Sequence, residues 1–368
     1  MINRTTYEDT LQQLLNDPGR FKMCSAGQTD DVKKKINKIA TEQKSINPEL
    51  YKMIRRIGTF NPGHLYGLPK IHKNQENPPL RPIISMSGTV THDISQYLND
   101  TIRPYINSEN MVNSSNELLL RLSNMKIEEN QQLLSLDVES LFINVPVHTT
   151  IDIIIDRAYN HPTILPPNIP ANILRDLLTI CTTETPFLFN SNHYIQCDGV
   201  SMGSPLGPTF ADFYMSHIES NLLSQDMISN PVFYVRYVDD ILAIFNSKHH
   251  VHHFVNRFQR NSVLKFTTEF SKNNSFHFLD VSMTLNPSGY ITTGVYTKPT
   301  DQGLHTNFDS HIPLPYKKSI AKTLIHRAII FSSTWELCHS ELDMLKRILI
   351  SNNFPLHLLD QLICSDLH

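Results

Sequence analysis

The chain has 368 residues, 40% of them hydrophobic, and a formal net charge of −3. That length exceeds one ordinary domain and carries enough apolar material for a substantial core, while the charge excludes a uniformly basic surface and leaves only local cationic clusters. No run approaches eighteen apolar residues, and five scattered cysteines (Cys24, Cys181, Cys197, Cys338 and Cys364) predict free thiols rather than a disulfide framework or a zinc knuckle, so the expectation is a soluble intracellular protein.

In chain order, residues 1–60 read as polar helices broken at Asp17-Pro18-Gly19 and Asn47-Pro48. Residues 61–133 begin as Pro-rich extended strands and continue as helices over 93–105 and 116–127. Arg81 falls in Leu80-Arg-Pro-Ile83, where Pro82 disfavours helix at Arg81. The stretch Leu133-Leu-Ser-Leu-Asp137 is an apolar strand that delivers a carboxylate near its end and then turns into helix. Pro162, Pro166, Pro167 and Pro170 mark a bend before a helix over 171–181.

Further on, Gly199-Val-Ser-Met-Gly-Ser-Pro-Leu-Gly-Pro208 is a loop of small residues leading into a helix over 209–219. Phe233-Tyr-Val-Arg-Tyr-Val-Asp-Asp-Ile-Leu-Ala-Ile-Phe245 predicts two short strands joined at a tight turn that carries Asp239 and Asp240. Residues 264–285 read as strands around a Lys272-Asn-Asn274 turn, completing an antiparallel sheet with helices on one side. The C-terminal eighty or so residues read as helices whose buried face comes from Trp335 and the apolar members of 344–350. His249-His250 and His252-His253, without cysteine partners, suit an exposed helix start.

Adjacent carboxylates held rigidly at a hairpin tip are a candidate site for a hard divalent cation such as Mg²⁺, which takes one or two carboxylates plus substrate phosphates. Two such ions can clamp both oxygens of an in-line phosphoryl displacement. Asp-Asp also suits an ordinary turn, and Asp137 also suits a helix cap. The basic clusters are Lys33-Lys34-Lys35 with Lys38, Arg55-Arg56, Lys70 with Lys73, Lys317-Lys318 with Lys322 and Arg327, and Lys346-Arg347. Any one cluster alone is more often a solvated helix face than a phosphate track.

Asp137 with Phe142, the loop Met202-Gly203-Ser204-Pro205-Leu206-Gly207-Pro208 and Tyr237-Val238-Asp239-Asp240 resemble the A, B and C motifs of reverse transcriptases, in the right order. His64-Leu-Tyr-Gly-Leu-Pro-Lys-Ile-His-Lys73 with Leu80-Arg-Pro-Ile-Ile-Ser85 resembles the finger motifs of Penelope-like retroelements. Phe278-Leu-Asp-Val281, Val295-Tyr-Thr-Lys-Pro-Thr300 and His326-Arg-Ala328 continue that resemblance, which spans about residues 60–330. Telomerase and group II intron reverse transcriptases are more distantly similar.

The resemblance implies an α+β right-hand polymerase: a helical N-terminal segment (1–60), fingers (61–133), a palm of antiparallel sheet packed on helices (134–290, with a finger insertion at about 160–196) and a helical thumb (291–368). It implies RNA-directed DNA polymerisation, with an RNA template, a DNA primer and deoxynucleoside triphosphates as partners, two Mg²⁺ ions with Mn²⁺ as substitute, and no membrane. Asp137 and Asp239 would hold the metals, with Asp240 and the Val138 carbonyl as weaker ligands. Arg81, then Lys70 and Lys73, would grip the triphosphate, and Phe142 would exclude the ribonucleotide 2′-hydroxyl. Ser204, Pro205 and Gly203 would lie under the template base and primer end, Tyr237 near the primer, and Lys272 in the place of a general acid. Nuclear residence and a structured element RNA follow from the same resemblance. The GIY-YIG nuclease that many Penelope-like elements carry has no counterpart here. An RNA-dependent RNA polymerase and an inactive nucleic-acid-binding remnant are the alternatives.

Overall fold

The computed structural model describes residues 3–56, 61–71, 78–123, 125–225, 228–271 and 274–367. In chain order the elements begin with α1 (Arg4–Leu15), β1 (Phe21–Met23), α2 (Gln28–Gln43), α3 (Pro48–Arg56), β2 (Gly63–Pro69), β3 (Leu80–Ser85) and α4 (His92–Ile102). They continue with α5 (Ser115–Leu122), β4 (Gln132–Val138), α6 (Leu141–Asn144), α7 (Val147–Tyr159), α8 (Ala171–Thr179), β5 (Pro186–Phe189), β6 (Asn192–Gln196) and α9 (Leu206–Leu223). Then come β7 (Phe233–Tyr237), β8 (Asp240–Phe245), α10 (Lys248–Asn261), β9 (Phe266–Phe270), β10 (Ser275–Phe278), β11 (Val281–Leu285) and β12 (Ile291–Val295). Three helices close the chain: α11 (Leu314–Phe331), α12 (Trp335–Ser351) and α13 (Leu356–Leu367).

These elements form two compact units, each discontinuous in sequence. The first comprises residues 1–110, 138–228 and 254–266. Its sheet has the order β1-β6-β5-β2-β3, so strands from the insertion at 160–196 sit directly against the strands that follow residue 61. Burial alternates along β2, and its inward Leu65 joins Leu11 and Leu15 of α1 with Phe21, Ile84, Phe187 and Tyr194 in one core. Phe187 meets Phe21 edge-on at 6.1 Å and stacks on Tyr194 at 5.9 Å. The helix α9 is buried nearly all round and is the central rod of this unit.

The second unit comprises residues 111–137, 229–253 and 267–368. Its main sheet runs β7-β8-β4-β9. In β8, Ile241 through Phe245 are all buried, as expected of a strand covered on both faces. Beneath it, Val112, Leu118 and Leu122 pack with Leu133, Val235, Leu242 and Ile244. The start of α5 is fixed by Ser114, which accepts from Glu117 N while the Glu117 carboxylate accepts from Asn113 N. A second core, Ala321, Ile325, Cys338, Leu342, Leu345, Leu349, Leu359 and Leu362 among others, joins α11, α12 and α13.

Four sequence expectations are corrected. The N-terminal stretch is not all helix, because β1 pairs with β6. Of the strands expected over 264–285, only β9 joins the sheet of β4 and β8; β10 and β11 pair with β12 in a separate three-stranded sheet. Trp335 is 61% exposed and does not supply the buried face of α12; of the stretch 344–350, Leu345 and Leu349 do, joined by Cys338 and Leu342 at spacings of three or four residues. Lys317 leaves its basic cluster: it is buried, and its ammonium donates to the carbonyls of Phe308 and Ser310. The five cysteines are free.

The irregular segment before α11 is held by Asn352, which is 7% exposed. Its side chain accepts from His305 N at 3.0 Å and donates to Gly303 O and Ile348 O, each at 2.8 Å, while its own carbonyl accepts from Phe308 N. Asn352→Ala removes the side-chain partners of His305 N and Gly303 O and is expected to lower stability by about 1–3 kcal/mol, read as the shift in a urea unfolding midpoint.

Candidate polymerase active site

Three carboxylates meet at one end of the β7-β8-β4 ladder. Register places Asp137 directly opposite Asp240, and Asp240 opposite Tyr237. Paired residues of an antiparallel ladder share a face at ~5 Å between Cβ atoms, so Asp137, Asp240 and Tyr237 project together. Like charges directly opposite repel, and the Asp240 carboxyl shows it. Burial first, then Asp239 and Asp137, push its pKa up to about 6, and Lys298 opposes the rise.

The loop between β7 and β8 has only two residues, Val238 and Asp239. Val238 has φ +55°, a left-handed conformation that a β-branched side chain adopts only under strain. Beside it, Arg236 is 0% exposed, and its Nη1 donates to Val238 O at 3.0 Å. The edge of β7 is covered where Val112 N donates to Arg236 O at 2.9 Å.

Other expected site residues lie in the first unit. The loop from Ser201 to Gly207 is seated on β3: Ser201 Oγ donates to Ile84 O at 3.0 Å, and a Cβ at Gly203 would stand 2.0 Å from the same carbonyl. Ser204 is buried, its N donates to Ser201 O and its Oγ accepts from Leu206 N. Pro205 caps the start of α9. Phe142 is partly exposed in α6; its carbonyl accepts from Val200 N, and its ring edge lies 3.7 Å from where a Gly207 Cβ would be. The turn before it holds Ser140 at φ +51°, with Asn144 Nδ2 donating to the carbonyls of Glu139 and Ser140.

Arg81 is exposed on β3, opposite Leu68. Lys70 follows β2, and its N donates to Pro79 O, closing the β2–β3 pair. Lys73 and Lys272 lie outside the described residues. Val138, the last residue of β4, is buried. The structure thus groups Asp137, Asp239, Asp240 and Tyr237 in one unit, and Arg81, Phe142, Gly203, Ser204 and Pro205 in the other.

Sequence reasoning missed two cations. Lys298, in Tyr296-Thr-Lys-Pro-Thr300, acts electrostatically on Asp240, and nothing in the local pattern singles out its charge. Arg236 left a plainer signal, an arginine inside an otherwise apolar strand.

The donor set fits a hard divalent cation: the acids are oxygen donors, and their mutual repulsion is what a cation relieves. Among the described residues no three His, Cys, Asp or Glu groups already converge as a metal cage. Mg²⁺ is usually bound by one or two carboxylates and completed by water and substrate phosphate, so a partial donor set suits it.

Two outcomes are expected. Gly203→Ala forces Cβ into the Ile84 carbonyl and should destabilise the protein by about 2 kcal/mol or more, measured by chemical unfolding. For Asp240 the folded-state pKa is raised, so its contribution to stability is present below about pH 4 and is lost as pH rises through 6. In EDTA at pH 7, Asp240→Asn should therefore raise stability. Linkage sets a ceiling of ~3 kcal/mol, and solvent screening of this partly exposed group reduces the gain to about 1–2 kcal/mol, with the difference vanishing near pH 4.

The profile of the reverse transcriptase (RNA-dependent DNA polymerase) family matches residues 71–282, more than half of the chain, and that of the animal helix-turn-helix domain matches residues 304–363. The second match covers α11, α12 and the first part of α13, which sequence reasoning read only as thumb helices. No curated protein matches the chain. Telomerase from Candida albicans, in complex with a TWJ fragment of telomeric RNA, superposes with a TM-score of 0.60 at 12% identity, over 94% of this chain and 58% of that one. Apo telomerase from Candida tropicalis gives 0.54 at 12% identity, over 99% and 61%. The Sicinivirus 3Dpol RNA-dependent RNA polymerase gives 0.52 at 13% identity, over 87% and 71%. The chain spans about three fifths of the length of these telomerases, and at such identities the likeness establishes the α+β right-hand polymerase fold. With that fold, and with the family profile spanning both the strand of Asp137 and the hairpin of Asp239 and Asp240, the chain belongs to the reverse transcriptase family, the RNA-dependent DNA polymerases.

Proposed function

We propose that this chain extends a primer 3′-hydroxyl with deoxynucleotides on an RNA template, in the service of a Penelope-like retroelement and in the nucleus. The observation that carries the reading is the pairing of Asp137 with Asp240 beside Asp239 on a two-residue turn, which fixes three carboxylates on the end of a buried sheet. Asp137 and Asp239 would hold two Mg²⁺ ions, with Asp240 and the Val138 carbonyl as further donors. Bound Mg²⁺ would supply activation of the primer hydroxyl and neutralisation of the triphosphate and departing pyrophosphate.

The remaining work is positioning, since phosphoryl transfer asks little covalent chemistry of the protein. Arg81, exposed on an extended strand, is suited to grip triphosphate oxygens bidentately, with Lys70 and Lys73 as supporting cations. Gly203, Ser204 and Pro205 offer a closely seated loop for the template base and primer end, and Tyr237 shares the acids' face toward the primer. Lys272 is the proposed general acid. Phe142, partly exposed and packed against the Gly207 loop, would meet a ribonucleotide 2′-hydroxyl. In this reading residues 61–133 are fingers, 134–290 palm and 291–368 thumb, and the helix-turn-helix match over 304–363 supports contact between the thumb helices and nucleic acid. A structured element RNA would be a further partner.

The fold likeness to a viral RNA-dependent RNA polymerase makes ribonucleotide use the competing reading; Phe142 and the finger motifs disfavour it, and nucleotide preference is the discriminating measurement. Primer extension on an RNA template with Mg²⁺ should proceed with deoxynucleotides and fall at least a thousandfold in Asp239→Ala. Phe142→Ala should raise ribonucleotide incorporation at least tenfold relative to wild type. Equal use of both nucleotide classes by the wild-type chain would favour the RNA polymerase reading.

A further inference from the structure

The most economical unexplained feature of the second unit is a fully buried arginine directly beneath its carboxylates. We propose that Arg236 is a positioning residue, a buried guanidinium brace that holds the Val238-Asp239 turn in its left-handed form and thereby sets the direction of Asp239. This inference rests on the polymerase reading for its consequence in catalysis, but its structural part stands on the hairpin alone.

Three observations carry it. First, strand alternation separates the two faces of the sheet. Asp240 pairs with Asp137 and Tyr237 on one face, whereas Arg236 pairs with Ile241 and so points to the other. A cation on that side does not compete with a metal or a substrate for the acids. Second, Arg236 is anchored at its base: its carbonyl accepts from Val112 N, and Met111 bridges to it in parallel register. From that fixed base Nη1 donates to Val238 O, two residues ahead and just before Asp239. Third, the turn needs holding. Positive φ at the first central position of a two-residue hairpin is a place for glycine, and here it is taken by valine. A charge-assisted hydrogen bond to the strained residue's own carbonyl offsets a conformation that its side chain disfavours.

Placing a full positive charge at 0% exposure is costly, and a leucine or methionine would fill the space more cheaply. Neither could supply the donor that the guanidinium places at Val238 O.

The test is a double-mutant cycle between Arg236→Met and Val238→Gly, with kcat, KM for deoxynucleotide and thermal unfolding measured on each protein. Because glycine adopts positive φ without strain, the brace should matter less in its presence. Arg236→Met should lower kcat at least tenfold with KM changed less than threefold, and the same substitution in the Val238→Gly background should lower kcat no more than threefold. Equal loss in both backgrounds, or a loss confined to KM, would overturn the proposal and make Arg236 a mere core residue. If Arg236→Met does not fold, Arg236→Lys, which keeps the charge but not the planar fork, takes its place in the same cycle. Should the wild-type chain extend no primer, the polymerase reading fails, and the brace is then judged on unfolding alone. There, a smaller drop in Tm for Arg236→Met in the Val238→Gly background supports it and an equal drop refutes it.

Discussion

Everything at the candidate site depends on one unfavourable contact, the antiparallel pairing that sets Asp137 face to face with Asp240. Opposed like charges work against that register. It persists because sliding β4 by one residue against β8 would turn Leu133, Leu134 and Leu136 out of register with the buried run Ile241 to Phe245. Hydrophobic burial along the strands therefore outweighs repulsion at their ends. A proton on Asp240 relieves that repulsion, and a divalent cation held between the acids, as proposed above, would do the same.

The hairpin tip repeats this logic in the backbone. A left-handed valine and a buried arginine are each costly alone, and the hydrogen bond between them makes each the reason for the other. Around Phe142 a different device serves the same end. Gly203 sits so close to the Ile84 carbonyl that no side chain fits, so the loop is located by contact with the strand that bears Arg81. Rigid strands and close backbone approach, more than side-chain networks, hold the groups that polymerisation would use.

Much of this was legible in the sequence because local pattern and tertiary role agree. The apolar strand that carries Asp137 near its end and the hairpin around Asp239-Asp240 form where periodicity and turn chemistry place them, and the helix expected over 209–219 forms but begins earlier, at Leu206. Pro82 kept Arg81 extended, as expected. What was not legible is pairing at a distance. Nothing local in Phe21-Lys-Met23 says that three residues will pair with β6, nor that β10 and β11 will leave the main sheet for β12. Trp335 misled because size was taken for burial, whereas helical spacing from Cys338 assigns the buried stripe correctly. Arg236 stands out in the sequence as an arginine inside an apolar strand, but only the structure shows it enclosed.

In the proposed mechanism Asp137 and Asp239, about a hundred residues apart in sequence, would share a divalent-metal site. Iron-directed cleavage tests it most directly: Fe²⁺ replaces Mg²⁺ in the presence of template, primer and deoxynucleotide, ascorbate and peroxide are added, and the cut positions are mapped by mass spectrometry. The account predicts paired cuts close to residues 137 and 239, suppressed by excess Mg²⁺ and lost in Asp137→Asn. Cleavage at only one of the two segments, or a pattern unchanged by Mg²⁺, would contradict it.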